Sequence, residues 1–163
     1  MNNNDILIRL RYALDLKDQT MLEIFALGDL TMTEKELREL LTKQEDEELP
    51  RDAVCDYRTL ESFLNGLIIY KRGRQTTKDG QPMKPTFLIT SQNQVNNVLL
   101  KKVKIALKLT SDDMIDALRL ANVYASDSEL SAILRKEGHR NYKECGDRYA
   151  RNFLKGLTIQ YRT

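Results

Sequence analysis

Apolar residues recur along this chain at helical spacing. Ile6, Leu7, Leu10, Ala13 and Leu14 fall at i, i+3 and i+4 intervals and predict a helix over about 3–16. A second helix follows over about 18–28. A third starts at Thr33-x-x-Glu36, a capping box, ahead of Leu37, Leu40 and Leu41. In such a box the two side chains satisfy amide groups that lack partners at a helix start. A fourth helix covers about 57–72, with Phe63, Gly66, Leu67 and Tyr70 on one face.

The pattern then repeats. "NNDILIRLRYALDLKDQTMLEIFAL" from Asn3 lies over "NNVLLKKVKIALKLTSDDMIDALRL" from Asn96 at an offset of 93, pairing Asn3 with Asn96, Leu7 with Leu100 and Leu14 with Leu107. At an offset of 90, "CDYRTLESFLNGLIIYKR" lies over "CGDRYARNFLKGLTIQYR", pairing Cys55 with Cys145, Phe63 with Phe153 and Gly66 with Gly156. The capping box recurs as Ser126-x-x-Glu129. The expected fold is all-α: two pseudo-equivalent four-helix repeats, residues 1–73 and 93–163, joined by an irregular linker over 74–92. Whether the repeats pack as one unit is open at this level.

The linker carries scattered glycine, proline and polar residues. Its β-prone stretch Thr86–Thr90, preceded by Asp79-Gly80, allows a hairpin like the wing of a winged helix. Its two prolines favour an ordered linker strapped across the domains instead. Gly66 is the anomaly of helix four, since glycine in a helix interior costs about 1 kcal/mol against alanine. Its recurrence as Gly156 predicts a buried helix crossing in each repeat, where a hydrogen admits a second backbone.

Composition changes this picture little. The chain has 163 residues, 41% apolar and 31% charged, with no tryptophan. No apolar run approaches the ~20 residues of a membrane span. The stretch "MNNNDILIRLRY" lacks the basic and apolar regions of a secretory signal. The expectation is a cytoplasmic protein with reduced thiols. Charge is asymmetric: residues 1–90 carry 13 basic and 16 acidic side chains, residues 91–163 carry 13 and 8.

Candidate chemistry is sparse. Cys55 and Cys145 stand just before helix four of each repeat and read as small structural residues packed under its start. A thiolate at a helix N-terminus has a depressed pKa, so Cys145 is the more plausible reactive thiol. It is also the only plausible partner for His139, the single histidine. There is no zinc-ligand spacing and no Gly-rich phosphate loop. The sequence thus implies no catalytic residue, cofactor or metal, and the enzyme reading ranks last.

Lys101, Lys104 and Lys108 fall at i, i+3 and i+7 on helix one of the second repeat, and Arg148, Arg151 and Lys155 repeat that spacing on its helix four. With Tyr142 and Tyr149 nearby to stack bases, these residues make nucleic acid the second candidate partner. Helices two and three have helix-turn-helix spacing, but the would-be reading helix "TEKELRELLTK" is no more basic than acidic. The leading candidate partner is another protein, met by related grooves and by the acidic loop Glu45–Glu48, which the second repeat lacks. Nothing points to a membrane partner, and oligomeric state is not readable.

The motifs "NNDIL…RYAL", "SFLNGLI…KRG", "NN…LLKK…IAL" and "N…ECGD…FL.GL" resemble the YehS family of bacterial proteins of unknown function. The resemblance covers nearly the whole chain and implies a small all-α cytoplasmic protein built of tandem repeats. It implies no activity, cofactor or catalytic residue.

Overall fold

In the computed structural model, which describes residues 1–46 and 48–162, the apolar periodicity resolves into helices. The first repeat forms α1 (Asn3–Leu14), α2 (Asp18–Leu27), α3 (Glu34–Leu40) and α4 (Tyr57–Arg72). The second forms α5 (Gln92–Ala106), α6 (Ser111–Leu120), α7 (Asp127–Leu134) and α8 (Asp147–Arg162). Glu47 of the acidic loop lies outside the described residues; Glu45, Asp46 and Glu48 are exposed.

The corners repeat as faithfully as the helices. Asp15 and Lys108 are left-handed at φ 52° and 54°, and Asp29 and Asn122 at 66° and 63°. Each pair sits 93 residues apart, so both repeats end their first two helices in the same way. Capping is less uniform. Thr33 and Glu36 close a full box on α3, whereas Ser126 caps the amide of Glu129 at 3.1 Å and the Glu129 carboxylate faces Lys143 at 3.6 Å. The second box expected from sequence is therefore only half formed.

The packing order is not the chain order. Within the repeats α2 packs on α4, and α6 on α8; between them α4 packs on α5, and α1 on α8. Each repeat's last helix thus lies between its own second helix and the other repeat's first. One core runs through both halves, and Phe25, Phe63, Leu99, Val103 and Phe153 are all fully buried in it. Phe25 and Phe63 meet at 5.1 Å in the tilted geometry that aromatic quadrupoles favour.

Polar contacts obey the same twofold logic. The Asn3 side chain donates to the carbonyl of Cys55 at 2.9 Å, and Asn96 to that of Cys145 at 3.1 Å. Arg72 donates to the carbonyl of Ile105 at 3.4 Å, and Arg162 to that of Tyr12 at 2.9 Å. The α4/α5 seam and the α1/α8 seam are therefore equivalent places in the fold.

The glycines sit where helices touch backbone to backbone. A Cβ on Gly66 would lie 1.8 Å from the carbonyl oxygen of Ile24 in α2, and one on Gly156 at 1.8 Å from that of Ala117 in α6. Gly28 answers Gly66 across the first crossing, its Cβ site 1.9 Å from the carbonyl oxygen of Ser62. Its counterpart in the second repeat is Ala121, so the first crossing uses one glycine more.

One inter-repeat tie is electrostatic. Arg51 reaches Asp147 at 2.6 Å, and Asn96 donates to the same carboxylate at 2.9 Å. Burial pushes the carboxyl pKa of Asp147 up, but Arg51, Asn96 and the N-terminal ammonium outweigh it and hold it well below the usual range. A depressed carboxylate stabilises the fold above its unfolded pKa, about 3.9, and that contribution fades as pH falls below it. Acid titration of stability should show a shallower decline below about pH 4 for Asp147→Asn than for the parent.

Candidate functional site

The linker expected over 74–92 ends at residue 91, before α5 begins at Gln92, and forms two features. Thr76 and Pro82 make an isolated antiparallel bridge, with Thr77 donating to Gln81 at 2.8 Å and Met83 to Gln75 at 2.9 Å. This finger is smaller and earlier than a wing. The β-prone stretch Thr86–Thr90 joins no strand among the described residues. It runs as an irregular strap across the α4/α5 seam.

The strap is held by its main chain. Glu61 of α4 accepts hydrogen bonds from the amides of Leu88 and Ile89, both at 2.8 Å. Lys102 of α5 donates to the carbonyl of Thr86 at 2.6 Å, and the Asn65 amide donates to the same carbonyl at 3.0 Å. Phe87 packs under the guanidinium of Arg58, 4.0 Å from the ring centre, a cation–π contact. The seam reads a neutral extended peptide by giving it one acceptor pair and two donors.

Glu61 and Lys102 are paired at 2.8 Å, with side chains only 1% and 5% exposed. A buried pair survives only if its remaining hydrogen-bonding capacity is met. Here the Lys102 ammonium also donates to Asn65 at 2.6 Å, and both Glu61 oxygens accept strap amides. Burial pulls the Lys102 pKa down, and the Glu61 carboxylate pushes it back up. Beside the strap lies a cavity of about 220 Å³ walled by Leu27, Ile68, Ile69, Met83, Pro85 and Ile105, with Asn65 and Lys102 at its edge. These polar groups are already committed to the strap.

The α1/α8 seam carries a different set of side chains at the equivalent positions. Arg9 stands for Lys102, Arg151 for Glu61, Lys155 for Asn65 and Arg148 for Arg58. All four are exposed. The apolar wall is kept in part: Tyr12 and Leu120, equivalent to Ile105 and Leu27, are 58% and 45% exposed, while Thr158 stands for Ile68. A seam that is neutral and strapped in one half is cationic and open in the other.

Of the basic residues singled out from sequence, Arg148, Arg151 and Lys155 lie together along the exposed face of α8. Lys101 and Lys104 are half-buried on α5, and burial lowers the Lys101 pKa against the pull of Glu137. Lys108 lies past the end of α5 in the left-handed turn, so the three lysines do not form the expected helical stripe. Tyr149 is half-buried with its phenol oxygen enclosed.

Both thiols are buried, each donating a weak hydrogen bond at 3.6 Å, Cys55 to the carbonyl of Asp56 and Cys145 to that of Gly146. Burial pushes each pKa up to about 12, the opposite of the helix-terminus effect expected for Cys145. Exposed His139 accepts the amide of Asn141 at 3.1 Å in the preceding loop. At neutral pH an alkylating reagent should modify both cysteines of the folded protein much more slowly than a free thiol, with full reaction only on unfolding. Among the described residues no group of three or more His, Cys, Asp or Glu is placed to hold a metal ion. None of their helices is long and apolar enough to cross a membrane.

Arg9 escaped the sequence reading. The repeat alignment carries its signal, because it places a cation at both 9 and 102 while reversing the charge between 61 and 151.

Interlocked tandem helical repeats with one strapped and one open seam define the class. The model of a family described as a protein of unknown function, DUF1456, matches this chain twice, over residues 3–73 and 96–163, and the chain belongs to that family. It is 36% identical over 160 residues to the uncharacterized protein YehS of Escherichia coli strain K12, spanning 98% of this chain and 96% of that protein. No solved structure is significantly similar to it.

Proposed function

We propose that this protein is a non-catalytic interaction module that binds an extended segment of another polypeptide along a helix seam, as a regulator would. The observation that carries this reading is the strap. Residues 86–89 cross α4 and α5 and are held through main-chain amides and a carbonyl, which supports a helix seam as a place that holds a polypeptide segment. Main-chain recognition supplies affinity in such complexes, and side-chain pockets supply selectivity. The same reading puts the protein in the cytoplasm of a bacterial cell, supported by two thiols that are not joined in a disulfide.

Nucleic acid is the second reading, favoured by the exposed cations of α8. The buried phenol of Tyr149 counts against it. A selection of displayed random peptides on the purified chain at low salt tests the leading reading. Enrichment of a common extended motif, with binding verified on the synthetic peptide, is the expected result. A selection without enrichment, alongside tight binding of single-stranded DNA, overturns it.

A further inference from the structure

We infer that the open α1/α8 seam is the partner site, and that its occupant is an extended acidic polypeptide segment carrying an aromatic residue. This rests on the interaction-module reading and names the place and chemistry of the ligand.

The strapped seam is the template. There, Glu61 accepts two strap amides, Lys102 and Asn65 donate to a strap carbonyl, and Arg58 stacks on Phe87. In the open seam the acceptor is gone. Arg151 replaces the carboxylate, Lys155 the amide and Arg9 the ammonium, so the three side chains at the places that grip the strap are all cationic donors here. None of the three has an ion-pair or hydrogen-bond partner among the described residues, although the other charges at the ends of the seam do. Asp147 is taken by Arg51, and Asp15 lies 3.6 Å from Arg162.

A neutral strap cannot satisfy this seam. Its amides would face Arg151 with no acceptor, and three unpaired cations would be crowded together. Carboxylates at the strap positions that face residues 151, 155 and 9 would meet them with charge-assisted hydrogen bonds, for which the arginine fork is suited. Arg148, at the place of Arg58, is free to stack on a ring as Arg58 does. Leu120 and Tyr12, whose ring already carries the Arg162 guanidinium 4.1 Å from its centre, supply an apolar wall. An extended polypeptide is favoured over nucleic acid because the equivalent seam holds one, with its aromatic at the matching step.

The test uses the full chain and fluorescence anisotropy. The probe is a labelled peptide of the strap sequence Pro85–Ser91 in which Thr86, Leu88 and Ile89 are replaced by Asp, Glu and Asp. It should bind at low salt, more tightly than the unsubstituted strap peptide or a single-stranded oligothymidylate. Arg9→Ala combined with Arg151→Ala, at exposed positions and with folding checked by circular dichroism, should weaken it about tenfold or more. Lys35→Ala combined with Lys78→Ala, which removes the same charge elsewhere, should leave it within about twofold. Equal loss in both variants, tighter binding of the oligonucleotide, or no binding of the probe overturns the inference. If the probe fails while display-selected peptides bind, the seam assignment falls and the interaction reading stands. If the selection also fails, both fall.

Discussion

Replacing Glu61 by alanine is expected to destabilise the fold by about 3–5 kcal/mol, because it leaves the Lys102 charge buried without its counter-ion. It also orphans the amides of Leu88 and Ile89, each of which has only this carboxylate as a partner among the described residues. In a domain of this size the melting temperature should fall by about 10 °C. The loss has a pH signature. Lys102 already has a lowered pKa, and Glu61 is the group that opposes the shift. Without it the folded protein binds fewer protons than the unfolded chain up to the ordinary lysine pKa near 10.4. Stability of Glu61→Ala should therefore rise with pH through the alkaline range up to that value. Chemical denaturation followed by circular dichroism at several pH values measures both effects, and proteolysis within residues 84–90 should accelerate as the strap loosens. A double change, Glu61→Leu with Lys102→Met, should recover part of the stability, since it removes both charges but not the strap's need for an acceptor. A Glu61→Ala variant as stable as the parent would mean that the pair does not anchor the strap.

The second large effect belongs to Gly66. An alanine there would put its Cβ 1.8 Å from the carbonyl oxygen of Ile24, a backbone atom that cannot rotate away. Helix α4 would have to move off α2, opening the contact that Gly28 completes from the other side. Gly66→Ala is expected at or above the upper end of the roughly 1–3 kcal/mol cost of overpacking. That exceeds the roughly 1 kcal/mol that alanine's better helix propensity offers in return. Gly146→Ala is the control, since nothing lies within 4 Å of its Cβ site and its φ is outside the left-handed range. Equal stability of Gly66→Ala and the parent in denaturant would show that the crossing can relax.

These two effects also show what the sequence could carry. Gly66 was legible because it broke a rule of helix propensity and broke it again at Gly156. The helices were legible because Leu7, Leu10 and Phe63 keep a 3.6-residue period. The interlock of the repeats was not, because Leu99, Leu100 and Val103 make the same apolar stripe whichever helix they meet. Glu61 and Lys102 look like solvated residues of charged helices. Their burial comes from a linker crossing above them, which no local pattern encodes. Cys145 was read as a packed structural residue, and its reactivity stayed open only because the burial that overrides the helix-terminus effect is not visible in a local pattern. The open seam was hidden in plain view, since identities between the repeats mark the shared frame while the differences, Glu61 against Arg151 and Asn65 against Lys155, mark what each frame binds.

The central claim is that the two seams are one frame with two chemistries, and a graft tests it most directly. Arg9→Lys, Arg151→Glu and Lys155→Asn together give the open seam the polar set of the strapped one. Anisotropy with the labelled, unsubstituted strap peptide Pro85–Ser91 is the measurement. The grafted protein should bind this peptide and lose the acidic one, while the parent does the reverse. If the graft folds but binds neither peptide, or still prefers the acidic one, the seams are not equivalent and the account fails.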